Sequence, residues 1–526
     1  MSQKPVESKT ALMDRIRCID LRSKVMNVED TVTFFKDGMN LAFSGFGEGH
    51  PKAVPGALAD HVEKQGLQGK MRFNVFTAAS IGTDVDNRWT SLGMLARRWP
   101  YQTGSTIRKA VNAGEMSFGD KHLSMFSQDF GYGFYTRDKG GRVDLGVIEA
   151  SCITEDGAIV PTLSVGMISE ILDRADKIII EINTKIPSFE GLHDCISFEP
   201  PPNKKAYNIH SVQDRIGTTC IPCDPNKIVA IVESRKDPVG RPLGPADEKS
   251  QQIAAHIIEF FKSEVKSGRL PENLLPLQSG VGTIANAVIG GLLDSPFTNL
   301  TLWSEIIQDN ILDFFDSGKL DYASAASFSF SDEGLDRLFA DWDKYTKNSL
   351  LRPIQVANSP EAIRRLGVIA MNTPVEFDIY SHVNSTLVNG SRMLNGIGGS
   401  GDFMRNAYLS IMHTPSTRPS KTDPNGISCV VPMVPHVDHT EHDMDVLVTE
   451  QGLADLRGLS PRERAQTIID KCAHPEYRPI LQEYLDRASK ECFATGSGHE
   501  PHMLYKVFNM QKNLDEKGTM KVENWD

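Results

Sequence analysis

Short apolar runs rich in Val, Ile, Leu and Phe alternate along this chain with longer stretches in which apolar residues return every three to four positions. The short runs predict buried strands at Phe73 to Thr77, Lys177 to Ile182, Ile228 to Val232, Leu300 to Trp303, Ile354 to Val356 and Val446 to Val448. The longer stretches predict helices. In SQQIAAHIIEFFKSEVKSG, apolar residues at 253, 257, 258, 260, 261 and 265 fall on one helical face, and Gly268 is placed to end it. Further on, Ser460, Pro461 and Glu463 supply a cap, a first-turn proline and a capping-box partner for a helix running toward Cys472. Strands alternating with helices predict α/β layers built on parallel strands.

The pattern echoes itself. LAFSGFGEGHPKAVPGAL (41–58) resembles LQSGVGTIANAVIGGL (277–292), with SGxG at 44 and 279 followed by Ala-Val and Leu at similar offsets. Two related α/β halves are therefore expected. The polar, Pro-rich stretch from about 195 to 250 predicts few regular elements, so the break is placed near 225, giving domains 1–225 and 226–526.

Composition narrows the function. The 526 residues suffice for more than one core, and a net charge of −12 gives no overall positive field for nucleic acid or an anionic membrane. No apolar run is long enough to cross a bilayer. The first 25 residues lack an apolar signal core, and Glu7, Asp14 and Asp20 offset Arg15, Arg17 and Arg22, so a cytoplasmic address is expected, with the mitochondrial matrix as alternative. The 8 Cys are scattered, as in a reducing compartment.

Two glycine loops can bring backbone N–H groups to a ligand. Gly280 and Gly282 precede a predicted helix, and with Ala285 they read GxGxxA, followed by Glu305 at a strand end. This imitates a dinucleotide-binding fingerprint and keeps a nucleotide-dependent oxidoreductase in view. NGIGGSGDF (395–403) is denser in glycine than a chain reversal needs, and it suits a phosphate or oxyanion cradle. Five glutamates end apolar runs: Glu149, Glu181, Glu233, Glu305 and Glu450. Periodicity cannot choose among them. Cys220 and Cys223 form CIPC, but they lead into a predicted strand rather than opening a helix, against a redox pair. His436, His439 and His442 lack both a helical HExxH and a Cys partner, so they read as a hydrogen-bonded loop and no metal site is expected.

Longer segments carry a resemblance. FSGFGEGHPKAVPGALADHVEKQG, PSFEGLHD, LWSEIIQDNILDFFDSGKLDYASAAS, GSRMLNGIGGSGDFMRNA, HVDHTEHD and VTEQGLADLRGLSPRERA together resemble the acetyl-CoA hydrolase/succinyl-CoA:acetate CoA-transferase family, across about Leu12 to Trp525. The resemblance implies two related CoA-transferase-type (NagB/RpiA-like) open-sheet domains, a homodimer, acyl-CoA and short carboxylates as substrates, and no bound cofactor. It makes Glu305 of WSEIIQD the covalent nucleophile, which becomes a glutamyl-CoA thioester. It assigns Gly280, Val281, Gly282, Thr283 and Ile284 to CoA, Asn395 and Gly399 to CoA or the oxyanion, Asn358 to the active site, and Lys421 to a CoA phosphate. Ser304 stands where the family often has Thr, and it keeps the hydroxyl. The expected activity is CoA transfer, most readily from succinyl-CoA to acetate, with acyl-CoA hydrolysis by the same nucleophile as the alternative and a non-catalytic CoA-binding scaffold as the remaining option. The echo of the Glu305 strand in the first half, FNVFTAAS, places Ala where the nucleophile would stand.

Overall fold

The computed structural model describes residues 12–238, 246–280 and 282–525. In the first half, strands β1 (Asn40–Phe43), β2 (Phe73–Thr77), β3 (Leu95–Trp99), β4 (Ser117–Phe118), β5 (Val143–Ala150), β6 (Ala175–Asn183) and β7 (Ile228–Ser234) form one sheet. Its order is β4-β3-β2-β1-β5-β6-β7, and every pairing is parallel. Near-continuous apolar strands such as Ile178–Ile180 are fully buried, as a parallel sheet covered on both faces requires. Helix α1 (Ala53–Gln65) follows β1 and lays Val54, Leu58 and Val62 on a core that includes Phe43, Phe73 and Trp89.

The second half opens with α2 (Glu248–Lys266), whose cap Asp247 accepts from the Ser250 N–H at 2.8 Å, and with Gly268 in the left-handed region just beyond its end. Then come β8 (Leu277–Ser279), α3 (Thr283–Leu293), β9 (Leu300–Trp303), β10 (Leu320–Ala325), β11 (Ser349–Leu351) and α4 (Ile354–Ala357). Strands β9, β10 and β11 pair in parallel in that order. The remainder supplies β12 (Ile369–Asn372), α5 (Ser400–Met404), β13 (Leu409–His413), β14 (Val446–Thr449), β15 (Gly452–Asp455) and α6 (Pro461–Cys472). The run β8-β12-β13-β14 is parallel, and β15 returns antiparallel on β14. The capping box of Ser460 and Glu463 is present as expected.

Strand order repeats between the halves. Outward from the SGxG strand the first half runs β1-β5-β6-β7 and the second runs β8-β12-β13-β14, while β2-β3-β4 answers to β9-β10-β11. The echo read from the glycine loops is thus an echo of topology.

Compactness divides the chain differently from a single break at 225. One unit contains the described residues of Met1–Pro242 together with Asn299–Leu366, and the other those of Leu243–Thr298 and Gly367–Asp526. Position 225 precedes β7, which completes the first sheet by pairing with β6, and β9 to β11 belong to the first unit.

One predicted strand is a helix. Ile354 to Val356 lie in the single turn α4, preceded by Pro353, and all three side chains are buried. A β-branched run this short does not fix its own conformation, and burial on every side of one helical turn yields the same apolar pattern.

Candidate active site

The five strand-end glutamates have different surroundings. Glu149 pairs with the buried Lys52 ammonium at 3.1 Å and accepts from Thr162 Oγ1 at 2.8 Å and Asn183 Nδ2 at 3.2 Å. Glu181 accepts the backbone N–H groups of Lys52, Ala53 and Val54 at 2.8, 2.9 and 3.0 Å, and so caps α1. Its complete burial, followed by the neighbouring Glu149 charge, nonetheless holds its carboxyl above the usual range. Glu233 binds Thr184 Oγ1 at 2.7 Å and Arg235 Nε at 3.0 Å. In the second unit, Glu450 accepts from Ser416 N at 2.7 Å and from Gln451 Nε2 at 3.2 Å.

Glu305 is placed otherwise. It follows β9 by two residues, is only partly buried, and its Oε2 accepts from Asn358 Nδ2 at 2.7 Å. The strand ladder holds its backbone, with Ser304 N donating to Ser324 O at 2.9 Å and Ala326 N to Glu305 O at 3.0 Å. Asn358 is fully buried at the end of α4, where its own N–H closes the turn onto Ile354 O at 2.9 Å.

Helix α4 has one turn and cannot hold itself. Trp303, the last residue of β9, donates its indole N–H to Ala357 O at 2.8 Å and stacks under the Arg352 guanidinium at 4.9 Å. Arg352 in turn donates to Ser324 Oγ at 2.7 Å and Val212 O at 3.1 Å and forms a fully buried ion pair with Asp194. Burial pulls its pKa down to about 10, which leaves it charged at neutral pH. Strand, arginine and helix thus fix carboxylate and amide together. The resemblance in the sequence points to Glu305 and Asn358, but not to Trp303, Arg352 or Asp194. The available signal was an arginine directly after the apolar run SLL, beside a proline.

The SGxG loop after β1 packs against the residues that follow β10. Ser327 Oγ donates to Phe46 O at 2.9 Å, and Ser329 Oγ to Glu48 Oε1 at 3.2 Å. At Gly49 a Cβ would come within 2.7 Å of Ser164 N, so only glycine permits the approach.

In the second unit, Gly280 donates its N–H to Met371 O at 3.0 Å, and Gly282 precedes α3 at φ 131° and ψ 178°, a conformation open to glycine. Thr283 and Ile284 are the first residues of α3. Val281 lies outside the described residues. The Asn395 amide donates to Ser385 O at 3.2 Å and Gly396 O at 2.7 Å, which ties the glycine-rich loop together, and Gly399 directly precedes α5. Lys421 is exposed.

Of the three histidines, His439 meets Ser400 Oγ at 3.2 Å beside that loop, while His436 and His442 pair with Asp438 and Glu441. Among the described residues no group of three or more His, Cys, Asp or Glu gathers for a metal, and no helix is long and apolar enough to cross a membrane. Cys220 and Cys223 are free thiols, and burial pushes Cys223 up to about 12, the reverse of a reactive thiolate.

The acetyl-CoA hydrolase/transferase N-terminal domain matches residues 13–233, and the C-terminal domain of the same name matches 334–485. The chain belongs to this enzyme family. It is 56% identical to a protein named acetyl-CoA hydrolase from Neurospora crassa over 518 residues, 98% of each chain. The proteins of that name from Schizosaccharomyces pombe and Saccharomyces cerevisiae are also 56% identical, each over 98% of this chain and 99% and 98% of their own. Among solved structures, RipA from Yersinia pestis matches with a TM-score of 0.67 at 21% identity, covering 89% of this chain and 99% of RipA. A 4-hydroxybutyrate CoA-transferase from Porphyromonas gingivalis matches with a TM-score of 0.57 at 18% identity, covering 89% and 98%. At these identities the likeness concerns the fold alone, mixed α/β with parallel open sheets.

Proposed function

We propose that this enzyme hydrolyses acetyl-CoA through a covalent intermediate on Glu305. The observation that carries the reading is the Glu305 carboxylate at the C-terminal end of a parallel strand, oriented by the Asn358 amide at 2.7 Å. The name and near-complete coverage of the 56% identical relatives support acetyl-CoA as substrate and hydrolysis as outcome.

As a carboxylate, Glu305 can attack the acetyl carbonyl. Collapse of the tetrahedral oxyanion expels CoA thiolate and leaves an acetyl-glutamyl anhydride. The thiolate attacks the glutamyl carbonyl and expels acetate, forming glutamyl-CoA. Water then adds to that thioester, CoA leaves as thiolate and takes a proton, and the Glu305 carboxylate is restored. Asn358 serves as amide donor to the oxyanion. Gly280, Val281, Gly282, Thr283, Ile284, Asn395, Gly399 and Lys421 are assigned to the CoA portion of the acetyl-CoA substrate, which is released as free CoA.

A second reading, CoA transfer from a short-chain acyl-CoA such as succinyl-CoA to acetate, is favoured by the same pair. Asn358 is an amide and cannot take a proton from water, whereas a carboxylate acceptor opens the thioester without being deprotonated.

The test is acyl-CoA incubation followed by borohydride or hydroxylamine and peptide mass spectrometry. Modification at Glu305 is expected, and an unmodified Glu305 peptide under turnover overturns both readings. Comparing the rates of CoA release into water and onto acetate then separates them.

A further inference from the structure

We propose that the first compact unit holds a second binding site, for a small oxyanion bearing a carboxylate or a phosphate, in a cavity of about 500 Å³ between residues 195–222 and Gln355. Gln355 is the second residue of α4 and is 2% exposed. Its Oε1 accepts from Lys204 Nζ and from the Tyr207 hydroxyl, each at 3.1 Å. An ammonium can only donate, so this contact fixes which end of the amide is oxygen. The Nε2 end has no acceptor among the described residues. A buried donor without a partner lacks an acceptor atom, and the lining states what kind of molecule should bring it.

Lys204, Lys205 and Arg215 face the cavity against one carboxylate, Glu199. Glu199 pairs with Lys205 at 3.5 Å, while Arg215 donates to the carbonyls of His193 at 2.8 Å and Gly191 at 2.7 Å, which leave its charge in place. Near Lys204 stands Glu170, wholly buried and with no side chain hydrogen-bonded to its carboxyl. Burial lifts its pKa to about 8, so at neutral pH it is mostly protonated and does little to balance the Lys204 ammonium. Surplus positive charge, an unmatched amide donor and a volume within the range of small-molecule sites all select an anion with acceptor oxygens. None of these groups is assigned to the glutamyl-CoA chemistry, so the site stands or falls apart from that reading.

Calorimetric titration of the full chain at pH 7, with succinate in one arm and inorganic phosphate in the other, tests the site and tells the two sources apart. Saturable binding of at least one anion is expected with Kd below about 1 mM. Gln355→Leu should weaken it about tenfold or more and Lys205→Ala severalfold, while Glu305→Gln leaves it unchanged. Lys205 is exposed, so that variant reports even if Gln355→Leu does not fold. No heat from either anion up to about 10 mM, binding indifferent to Lys205→Ala, or binding lost in Glu305→Gln each overturns the proposal.

Discussion

Glu181, two residues before the end of β6, and Glu305, two residues past the end of β9, lie in the same compact unit with contrasting surroundings. Glu181 is sealed, its carboxylate taken up by three backbone N–H groups at the start of α1. Glu305 is partly exposed and held by a side-chain amide that orients one oxygen. A carboxylate whose lone pairs are committed to a helix start is part of the scaffold. One held by an amide can exchange that partner's bond for a developing oxyanion. The repeat sharpens the contrast. Aligning Phe73–Phe76 with Leu300–Trp303 puts Thr77 at Ser304 and the buried Ala78 at Glu305, so the first half keeps the strand and has no carboxylate at that position.

The sharpest break in this contrast is Glu305→Ala. Its kcat should fall on the order of 10⁴-fold or more with the thermal transition near that of the parent, measured by steady-state kinetics beside calorimetry. Native-like turnover in a folded variant sinks the covalent mechanism. Next is Asn358→Ala, expected to lower kcat by roughly 10²- to 10³-fold, the usual consequence of removing one oxyanion donor, with the protein still folded.

Glu181→Ala should do the reverse, lowering stability by about 2–3 kcal/mol in denaturant titration while the folded fraction keeps its kcat. Because its folded pKa lies above the unfolded value, the parent binds more protons when native. The stability arising from this group is therefore full below the unfolded carboxylate range and declines as pH rises above it. Glu181→Ala should flatten that part of the stability–pH curve.

The smallest effect expected is from Asn358→Asp. A second carboxylate beside Glu305 disfavours its ionisation, so the acid limb of kcat/KM should move to higher pH by about one unit. An unmoved limb argues against Glu305 acting as the ionised nucleophile.

Much of this was legible in the chain. The SGxG echo announced two runs of matching strand order, and the apolar spacing with Gly268 announced α2, though not its Asp247 cap. Pro461 and Glu463 announced α6, and the WSEIIQD segment singled out Glu305 by resemblance, where periodicity left five glutamates equal. The conformation of Ile354 to Val356 was not legible, nor was the use of Arg352, because both depend on Trp303, Ser324, Asp194 and Val212, which approach from distant parts of the sequence. The non-contiguous units were hidden for the same reason, since a boundary between cores is set by which strands pair and not by where polar residues cluster.

By itself the sequence determined many local terms: most of the strand runs, the apolar face of α2, the capping box of α6, and which carboxylates lie near strand ends. Tertiary structure decided what each carboxylate does. Hydrogen-bond partners and burial set whether a carboxylate is committed or open to reaction, and those partners are neighbours in space that local propensity cannot specify.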